Sequence, residues 1–172
     1  AQKSEGRVCG QDSRAYKVDV YFFGLIPQMA LVFLLISRLR TAGETIITDG
    51  CGGNETEYAE FATKMGWDAS DMSAAVAKLQ ALPKEGKPRT AIVTQGAEPT
   101  LIATAEGVTS NPVIECPSVV DTNGAGDAFA GAFLSQLLQK RPVEDCVHAA
   151  HWAARLVIQR SGVALPEECD YA

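Results

Sequence analysis

A glycine turn between two apolar segments constrains this chain more than any other feature. Residues 121–134 read Asp-Thr-Asn-Gly-Ala-Gly-Asp-Ala-Phe-Ala-Gly-Ala-Phe-Leu. Val119 and Val120 close an apolar run before the turn, and from Ala125 onward apolar side chains recur at helical spacing. The recurring residues are Phe129, Ala132, Phe133, Leu137 and Leu138. The sequence therefore predicts a strand, a tight loop and a helix in direct succession.

This predicted loop has the chemistry of an anion site. Gly124 and Gly126 allow positive φ and expose backbone N–H groups, and the first turn of a helix adds unpaired donors and a partial positive charge. Asp127 would lie in that first turn, ionised at neutral pH, where it could accept a proton from an alcohol beside a bound phosphate. For an isolated Gly-x-Gly followed by Asp, a simple turn and a carboxylate that complements the helix dipole are the commoner outcome.

The complete string resembles, over its whole length, the second signature of the ribokinase-like family of carbohydrate and nucleoside kinases. The resemblance implies a three-layer α/β/α fold with a mostly parallel central sheet, and ATP as co-substrate. It also implies that Asp127 is the general base on the substrate hydroxyl. The anion hole for the transferred phosphoryl group would be formed by Asn123, Gly124, Ala125 and Gly126.

A second motif is Gly-Asn-Glu-Thr-Glu at residues 53–57, followed by apolar residues at helical spacing. By itself the pattern favours Asn54 as a helix N-cap with Glu57 as its capping-box partner. It also resembles the family's Asn-x-x-Glu motif, which implies that Asn54 and Glu57 organise Mg²⁺, through water, and the ATP phosphates. A carboxylate with retained waters suits Mg²⁺, and both interpretations can hold at once.

The middle of the chain is predicted to form a helix at residues 68–82 and an apolar strand at residues 91–93. Thr94-Gln95-Gly96 follows at the carboxyl end of that strand, where ligands bind in open parallel sheets. Its likeness to the family's Thr-x-Gly loop implies that Thr94 and Gly96 contact ATP. Residues 100–109, with Glu106-Gly107 in the middle, predict a β-hairpin at the sheet edge.

The last long helix is predicted at residues 143–160. Its buried stripe is Val143, Val147, Ala150, Ala154 and Val157, which leaves His148 and His151 on other faces. Two histidines three apart suggest a metal site, but a surface pair is commoner when no carboxylate or cysteine joins them. The run His-Ala-Ala-His-Trp-Ala-Ala resembles a helix of nucleoside kinases, and this implies that His151 lines the adenine pocket of ATP.

Residues 18–37 are apolar enough to suggest a membrane span, but Asp19, Pro27 and Gln28 interrupt the run. We instead expect a strand at residues 18–26, a helix from Pro27 to about Ala42 and a strand at residues 44–48. Residues 50–53 are then a linker too short for the crossover that the family requires.

The family resemblance is close over residues 53–172 and loose over residues 1–52, and we expect the small lid sheet of the family to be missing from this chain. We expect one α/β domain over residues 1–172 that joins segments of a longer protein, with a truncated product as the alternative.

Composition fits a globular enzyme, with 47% hydrophobic and 21% charged residues in 172. A net charge of −6 argues against a nucleic-acid partner. The five cysteines are odd in number, scattered and without a Cys-x-x-Cys pair, so we expect reduced thiols in a cytoplasmic or nuclear protein. We expect a monomer with no membrane partner.

Several residue choices, including Asn123, resemble the branch of the family that phosphorylates adenosine. That likeness implies adenosine and ATP as substrates, Mg²⁺ as cofactor and a monovalent cation as an optional addition. A kinase for a sugar or another nucleoside, and a binding module that has lost catalysis, remain as alternatives. The residues that choose the substrate would lie mostly in the missing amino-terminal part of the fold.

Overall fold

The computed structural model describes residues 2–4, 17–22, 34–41, 44–46, 50–82, 89–162 and 171. The chain divides into two compact units, Ala1–Asn111 and Pro112–Ala172. The first unit contains a β-sheet with two helices, and the second contains two helices. The single domain predicted for residues 1–172 stays a prediction.

The sheet of the first unit has eight strands. They are β1 (Gln2–Ser4), β2 (Lys17–Phe22), β3 (Leu34–Thr41), β4 (Glu44–Ile46), β5 (Gly50–Asn54), β6 (Thr90–Gln95), β7 (Glu98–Thr104) and β8 (Gly107–Asn111). Their order is β1-β2-β3-β5-β6-β7-β8, and β4 pairs with β3. The predicted hairpin is confirmed as β7 and β8, with β8 at the sheet edge.

The sheet is mixed, so the prediction of a mostly parallel sheet is wrong for the described strands. Among them, β5 and β6 form the one parallel pair. Two-residue turns at 96–97 and 105–106 join β6 to β7 and β7 to β8, and turns this short can connect only antiparallel strands. The parallel pair is possible because two helices, within residues 55–80, lie between its strands in the chain.

The amino-terminal prediction is half right. Strands are present at β2 and β4, but β3 occupies residues for which a helix was predicted. Residues 23–33 and 47–48 of that prediction lie outside the described residues. A short apolar run does not distinguish a buried strand from a helix, and here pairing with β2 and β5 decides for the strand.

The predicted linker at residues 50–53 is also wrong, because these residues belong to β5. The strand pairs antiparallel with β3 and parallel with β6. The sequence Gly-Cys-Gly-Gly at residues 50–53 has a low strand propensity, because glycine is depleted in strands, and so the strand was not predicted. Glycine marks places where other atoms approach the backbone closely, and this holds at Gly53. A Cβ there would lie 2.8 Å from Glu57 Oε2 and 3.4 Å from the Tyr58 ring.

Two helices, α1 (Glu55–Lys64) and α2 (Met72–Gln80), pack on one face of this sheet. Helix α2 begins later than predicted, at the N-cap Asp71, whose side chain accepts a hydrogen bond from Ala74 N. The buried core between helices and sheet consists of Tyr58, Val76, Leu79, Ala91, Val93 and Ala103. Partly buried Phe61 and Trp67 extend it with an edge-to-face contact at 5.7 Å between centroids.

The second unit is built on α3 (Ala125–Leu138) and α4 (Val143–Ile158), which pack against each other. Both helices confirm the predicted elements to within two residues. Phe129, Phe133, Leu134 and Leu138 are the buried residues of α3. Phe129 and Phe133 stack with nearly parallel rings at 6.5 Å between centroids.

The strand predicted to end at Val119 and Val120 is absent, because residues 112–122 form no strand. Both valines are about 60% exposed. Pro112 and Pro117 cannot donate to a ladder, which disfavours a strand here. The backbone N–H groups of Val120 and Asp121 instead donate to Ile158 O at the end of α4, at 2.7 and 3.2 Å.

Among the described residues, no helix combines the length and the apolar character needed to cross a membrane.

Candidate functional site

The first cluster of predicted site residues lies at the carboxyl ends of β5 and β6. Asn54 and Thr94 are register partners on these parallel strands. Thr94 Oγ1 donates to Gly53 O at 3.5 Å, and Gly96 follows in the turn with a φ of 60°. Ligands bind at this end of parallel strands because loops and helix N-termini meet there. The structure therefore brings Asn54, Thr94 and the start of α1 together.

Asn54 and Glu57 form a complete capping box. Glu57 N donates to Asn54 Oδ1 at 2.9 Å, and Asn54 N donates to Glu57 Oε2 at 2.8 Å. The capping interpretation of this motif is thereby confirmed. Each carboxylate oxygen accepts more than one hydrogen bond, so Glu57 keeps acceptor capacity while it caps the helix.

Asn54 and Glu57 are also the residues predicted to hold Mg²⁺ through water. Within the described parts of the chain, no group of three or more His, Cys, Asp or Glu side chains could enclose a metal ion. Mg²⁺ usually keeps several waters and is held by one or two carboxylates plus substrate phosphates. The single carboxylate of Glu57 at a helix N-terminus fits that mode of binding. The described His, Cys, Asp and Glu side chains do not form a cage that could hold the ion by themselves.

The second cluster is the glycine turn at the start of α3. Gly124 is the N-cap and has φ 79° and ψ −1°, in the left-handed region that favours glycine. Ala125 N donates to Thr122 O at 3.2 Å, and Asn123 N donates to an Asp121 carboxylate oxygen at 3.0 Å. Two of the four predicted anion-hole residues, Asn123 and Ala125, therefore use their amides inside the turn.

Within the described part of the chain, the N–H groups of Gly126 and Asp127 have no backbone acceptor. Residues in the first turn of a helix have no intrahelical acceptor for their N–H groups. The first hydrogen bond of α3 in the described residues runs from Ala128 N to Gly124 O, at 2.9 Å. The N–H groups of Gly126 and Asp127 come before this bond in the chain. The Asp127 side chain is exposed in the same turn. Donors for an anion and a carboxylate that can accept a proton are thus adjacent.

His151 lies on the buried side of α4, contrary to the prediction that it faces away from the core. Only 5% of the residue is exposed, and its ring lies 5.5 Å from the Phe129 ring, centroid to centroid. Burial is the main cause that lowers the pKa of His151, and the nearby His148 adds to it. An imidazole kept neutral in an apolar setting can pack against a flat aromatic base.

His148 is exposed on α4 and does not share the surroundings of His151. Its Nδ1 lies 3.2 Å from the hydroxyl of Tyr171, whose ring also lies 5.2 Å from that of Trp152. The two histidines therefore have different partners, an aromatic cluster near the carboxyl terminus for His148 and helix α3 for His151.

One residue of the turn was missed by the sequence analysis. Asp121 Oδ2 accepts a hydrogen bond from Gly162 N at 3.1 Å, while Oδ1 accepts from Asn123 N. These hydrogen bonds hold the pKa of the Asp121 carboxyl below its usual value, with the Asn123 amide as the larger cause. The bond to Asn123 has a sequence signal, since Asp favours hydrogen bonds to the backbone two residues on. The bond to Gly162 joins residues far apart in sequence and has none.

A family model described as the pfkB family carbohydrate kinase matches residues 45–169. This range includes β5 and β6, the glycine turn and both helices of the second unit. The chain belongs to the pfkB family of carbohydrate kinases.

Within that family, adenosine kinases are among the similar proteins. Adenosine kinase 1 of Arabidopsis thaliana is 46% identical over 123 residues, which are 69% of this chain and 36% of the relative. The structure resembles Anopheles gambiae adenosine kinase in complex with P1,P4-di(adenosine-5) tetraphosphate, at 43% identity and a TM-score of 0.62, over 66% of this chain and 35% of that one.

It also resembles Schistosoma mansoni adenosine kinase in complex with adenosine and AMP, at 31% identity and a TM-score of 0.62. That match covers 71% of this chain and 37% of the other. The chain thus spans little more than a third of the length of the relatives it matches. The likeness supports the ribokinase-like fold class expected from the signature.

Proposed function

We propose that this chain provides the phosphoryl-transfer part of an adenosine kinase, which moves the γ-phosphate of ATP to the 5′-hydroxyl of adenosine and releases AMP and ADP. One observation is central: among the described residues, the N–H groups of Gly126 and Asp127, which follow the left-handed Gly124, have no backbone acceptor, and the exposed Asp127 belongs to the same turn of α3. The identity to adenosine kinases supports adenosine as the acceptor.

In the proposed reaction, the Asp127 carboxylate accepts the proton of the 5′-hydroxyl. The hydroxyl oxygen forms a bond to the γ-phosphorus while the bond from that phosphorus to the bridging oxygen of ADP breaks. The N–H groups of Gly126 and Asp127, with that of Gly124, donate to the equatorial oxygens of the transferring group. Fixed donors of this kind stabilise the transition state because they need no reorganisation when charge moves.

The residues of the first unit would serve the nucleotide. Glu57 and Asn54 would hold Mg²⁺ through water, and the bound ion would neutralise charge on the phosphates. Thr94 and Gly96 lie at the strand ends where phosphates are usually bound. His151 offers a buried neutral ring for adenine. A monovalent cation is a further candidate cofactor, and the dependence of turnover on potassium concentration tests it.

Asp127→Asn in the full-length polypeptide that contains this sequence tests the base. The amide is isosteric but a very weak proton acceptor, so we expect kcat to fall by about 10³-fold while KM for ATP stays within about threefold. Asp145→Asn is the matched control, because Asp145 is an exposed aspartate in the first turn of α4. It loses the same helix-dipole interaction and should retain full activity. An Asp127→Asn enzyme with more than about a tenth of normal turnover would exclude Asp127 as the base.

A substrate panel tests the acceptor. ADP release is measured with adenosine, other nucleosides, ribose and fructose as acceptors at equal concentrations. The proposal expects kcat/KM to be highest for adenosine. A higher value for a sugar or another nucleoside would assign a different kinase of the family, and adenosine binding by calorimetry without ADP release would indicate a binding module.

We also propose that the protein acts as a cytoplasmic monomer. Light scattering of the purified protein tests the oligomeric state, and imaging of a tagged full-length protein tests the location, including the nuclear alternative.

A further inference from the structure

The two carboxylate oxygens of Asp121 connect the glycine turn to the end of α4. One oxygen accepts from Asn123 N inside the turn at 3.0 Å, and the other accepts from Gly162 N, just beyond α4, at 3.1 Å. Next to them, the N–H groups of Val120 and Asp121 both donate to Ile158 O. The start of the turn is therefore bonded to the carboxyl end of α4 by three separate hydrogen bonds, of which the carboxylate supplies one.

We propose that Asp121 is a positioning residue for phosphoryl transfer, which holds the amides of the glycine turn at a fixed place relative to α4. The proposal rests on the proposed kinase function. In the proposed reaction, Asp121 does not touch the reacting atoms. It acts through the backbone of residues 123–127.

The physical argument starts from the freedom of the glycine backbone in the turn. Gly124 has no side chain to pack, and the turn follows a segment without a strand ladder, residues 112–122. A glycine has more backbone conformational freedom than any other residue. Hydrogen bonds to groups outside the turn are therefore needed to hold it in one conformation. Hydrogen bonds to an ionised carboxylate are about twice as strong as neutral ones, which suits Asp121 to that task.

The position of α4 matters for the same reaction. His151 on α4 packs against Phe129, which lies two residues after Asp127 on α3. The bond from Gly162 N to Asp121 therefore adds a side-chain connection to the two backbone bonds between the turn and the helix that would contact adenine. Amides that stabilise only the transition state require placement within a fraction of an ångström, so loosening the turn should lower kcat more than it changes nucleotide affinity.

Two substitutions separate the two bonds. Asp121→Asn keeps an oxygen that can accept from Asn123 N, but its NH₂ group cannot accept from Gly162 N. Asp121→Ala removes both acceptors. We expect kcat to fall about tenfold in Asp121→Asn and about 100-fold in Asp121→Ala, with KM for ATP and adenosine within about threefold of the wild-type values.

Amide hydrogen exchange supplies a readout that does not depend on activity. The Gly162 amide should exchange faster in both variants, whereas the Asn123 amide should do so only in Asp121→Ala. Wild-type protein in which the Gly162 amide exchanges at the rate of an unstructured peptide would overturn the proposal, even if Asp121→Ala does not fold.

Asp68→Asn is the matched control. Asp68 is an exposed residue whose carboxylate, like that of Asp121, accepts a backbone N–H two residues on, here from Ser70 at 2.9 Å. The pKa of Asp68 is lowered mainly by the hydroxyl of the same serine. Asp68 lies before α2 and away from the glycine turn in sequence, so its loss should leave kcat unchanged.

The outcomes distinguish this proposal from the function on which it depends. If the wild-type enzyme phosphorylates no acceptor, the proposed function fails and the exchange pattern alone tests the bond network. If the wild-type enzyme is active and Asp121→Asn retains full kcat, the positioning role is wrong and the kinase assignment stands. A loss of kcat that follows the fraction of unfolded protein, or that Asp68→Asn reproduces, also contradicts the positioning role.

Discussion

Asn54 and Glu57 each accept the backbone N–H of the other, at 2.9 and 2.8 Å, at the first turn of α1. The pair therefore has a structural role that is complete without any ligand. Its proposed role toward Mg²⁺ must be separated from that role by substitutions that change one property at a time.

Asn54→Ala removes the side chain that caps α1, so we expect the free energy of unfolding to fall by about 1 kcal/mol. Glu57→Gln keeps an oxygen that can accept from Asn54 N but has no charge. We expect its stability to stay near the wild-type value while the Mg²⁺ concentration for half-maximal activity rises about tenfold. Urea unfolding and magnesium titrations of turnover measure the two effects. Unchanged magnesium dependence in Glu57→Gln would limit Glu57 to capping.

Gly53 leaves room for side chains from the first turn of α1 to approach β5 closely. A Cβ there would lie 2.8 Å from Glu57 Oε2 and 3.4 Å from the Tyr58 ring, whereas a Cβ at Gly52 would meet nothing closer than 3.9 Å. Tyr58 is fully buried and cannot move aside easily. We expect Gly53→Ala to destabilise the protein by about 1–3 kcal/mol and Gly52→Ala by much less. Equal urea midpoints for the two variants would contradict the close approach at Gly53.

Local signals in the sequence predicted the site residues that depend on local structure. The capping box joins residues three apart, and the helix start at Ala125 follows from glycine chemistry and helical spacing. Both are properties of a few consecutive residues. The structure of the turn and of the first turn of α1 could therefore be predicted without knowledge of the rest of the fold.

The remaining features depend on partners distant in sequence. Strand β3 and the glycine-rich β5 form because they pair with other strands, against what their composition favours. The burial of His151 depends on Phe129 of a different helix, and the bond between Asp121 and Gly162 joins residues 41 apart in sequence. Periodicity within one segment contains no information about such pairs, so these features required the structure.

The left-handed conformation of Gly124 is a stability requirement as well as a feature of the proposed anion site. With φ at 79°, an alanine at this position would be strained by about 1–2 kcal/mol. Gly131 lies inside α3 with no atom within 4 Å of an added Cβ, so Gly131→Ala should stabilise the protein by about 0.5–1 kcal/mol. Thermal unfolding of the two variants should shift in opposite directions. A stabilising Gly124→Ala would contradict the turn geometry.

The burial of His151 predicts how stability depends on pH. Its pKa is lowered in the folded protein from an ordinary value of 6.5, because burial disfavours the charged ring. Below about pH 6.5 the unfolded chain binds a proton at this residue more readily than the folded one, so the free energy of unfolding decreases as pH falls. The contribution is fully present above that pH and is lost toward the lower, folded-state pKa.

Urea unfolding at pH 7.5 and 5.5 tests this dependence. We expect the decrease between the two pH values to be smaller in His151→Gln, whose side chain does not titrate. His148→Gln is the control: it removes the smaller cause of the shift and leaves the burial of His151 intact, so most of the decrease should persist. If His151→Gln and the wild type lose stability equally, His151 does not remain neutral in the folded protein, and its assignment as the ring that packs against adenine loses its physical basis.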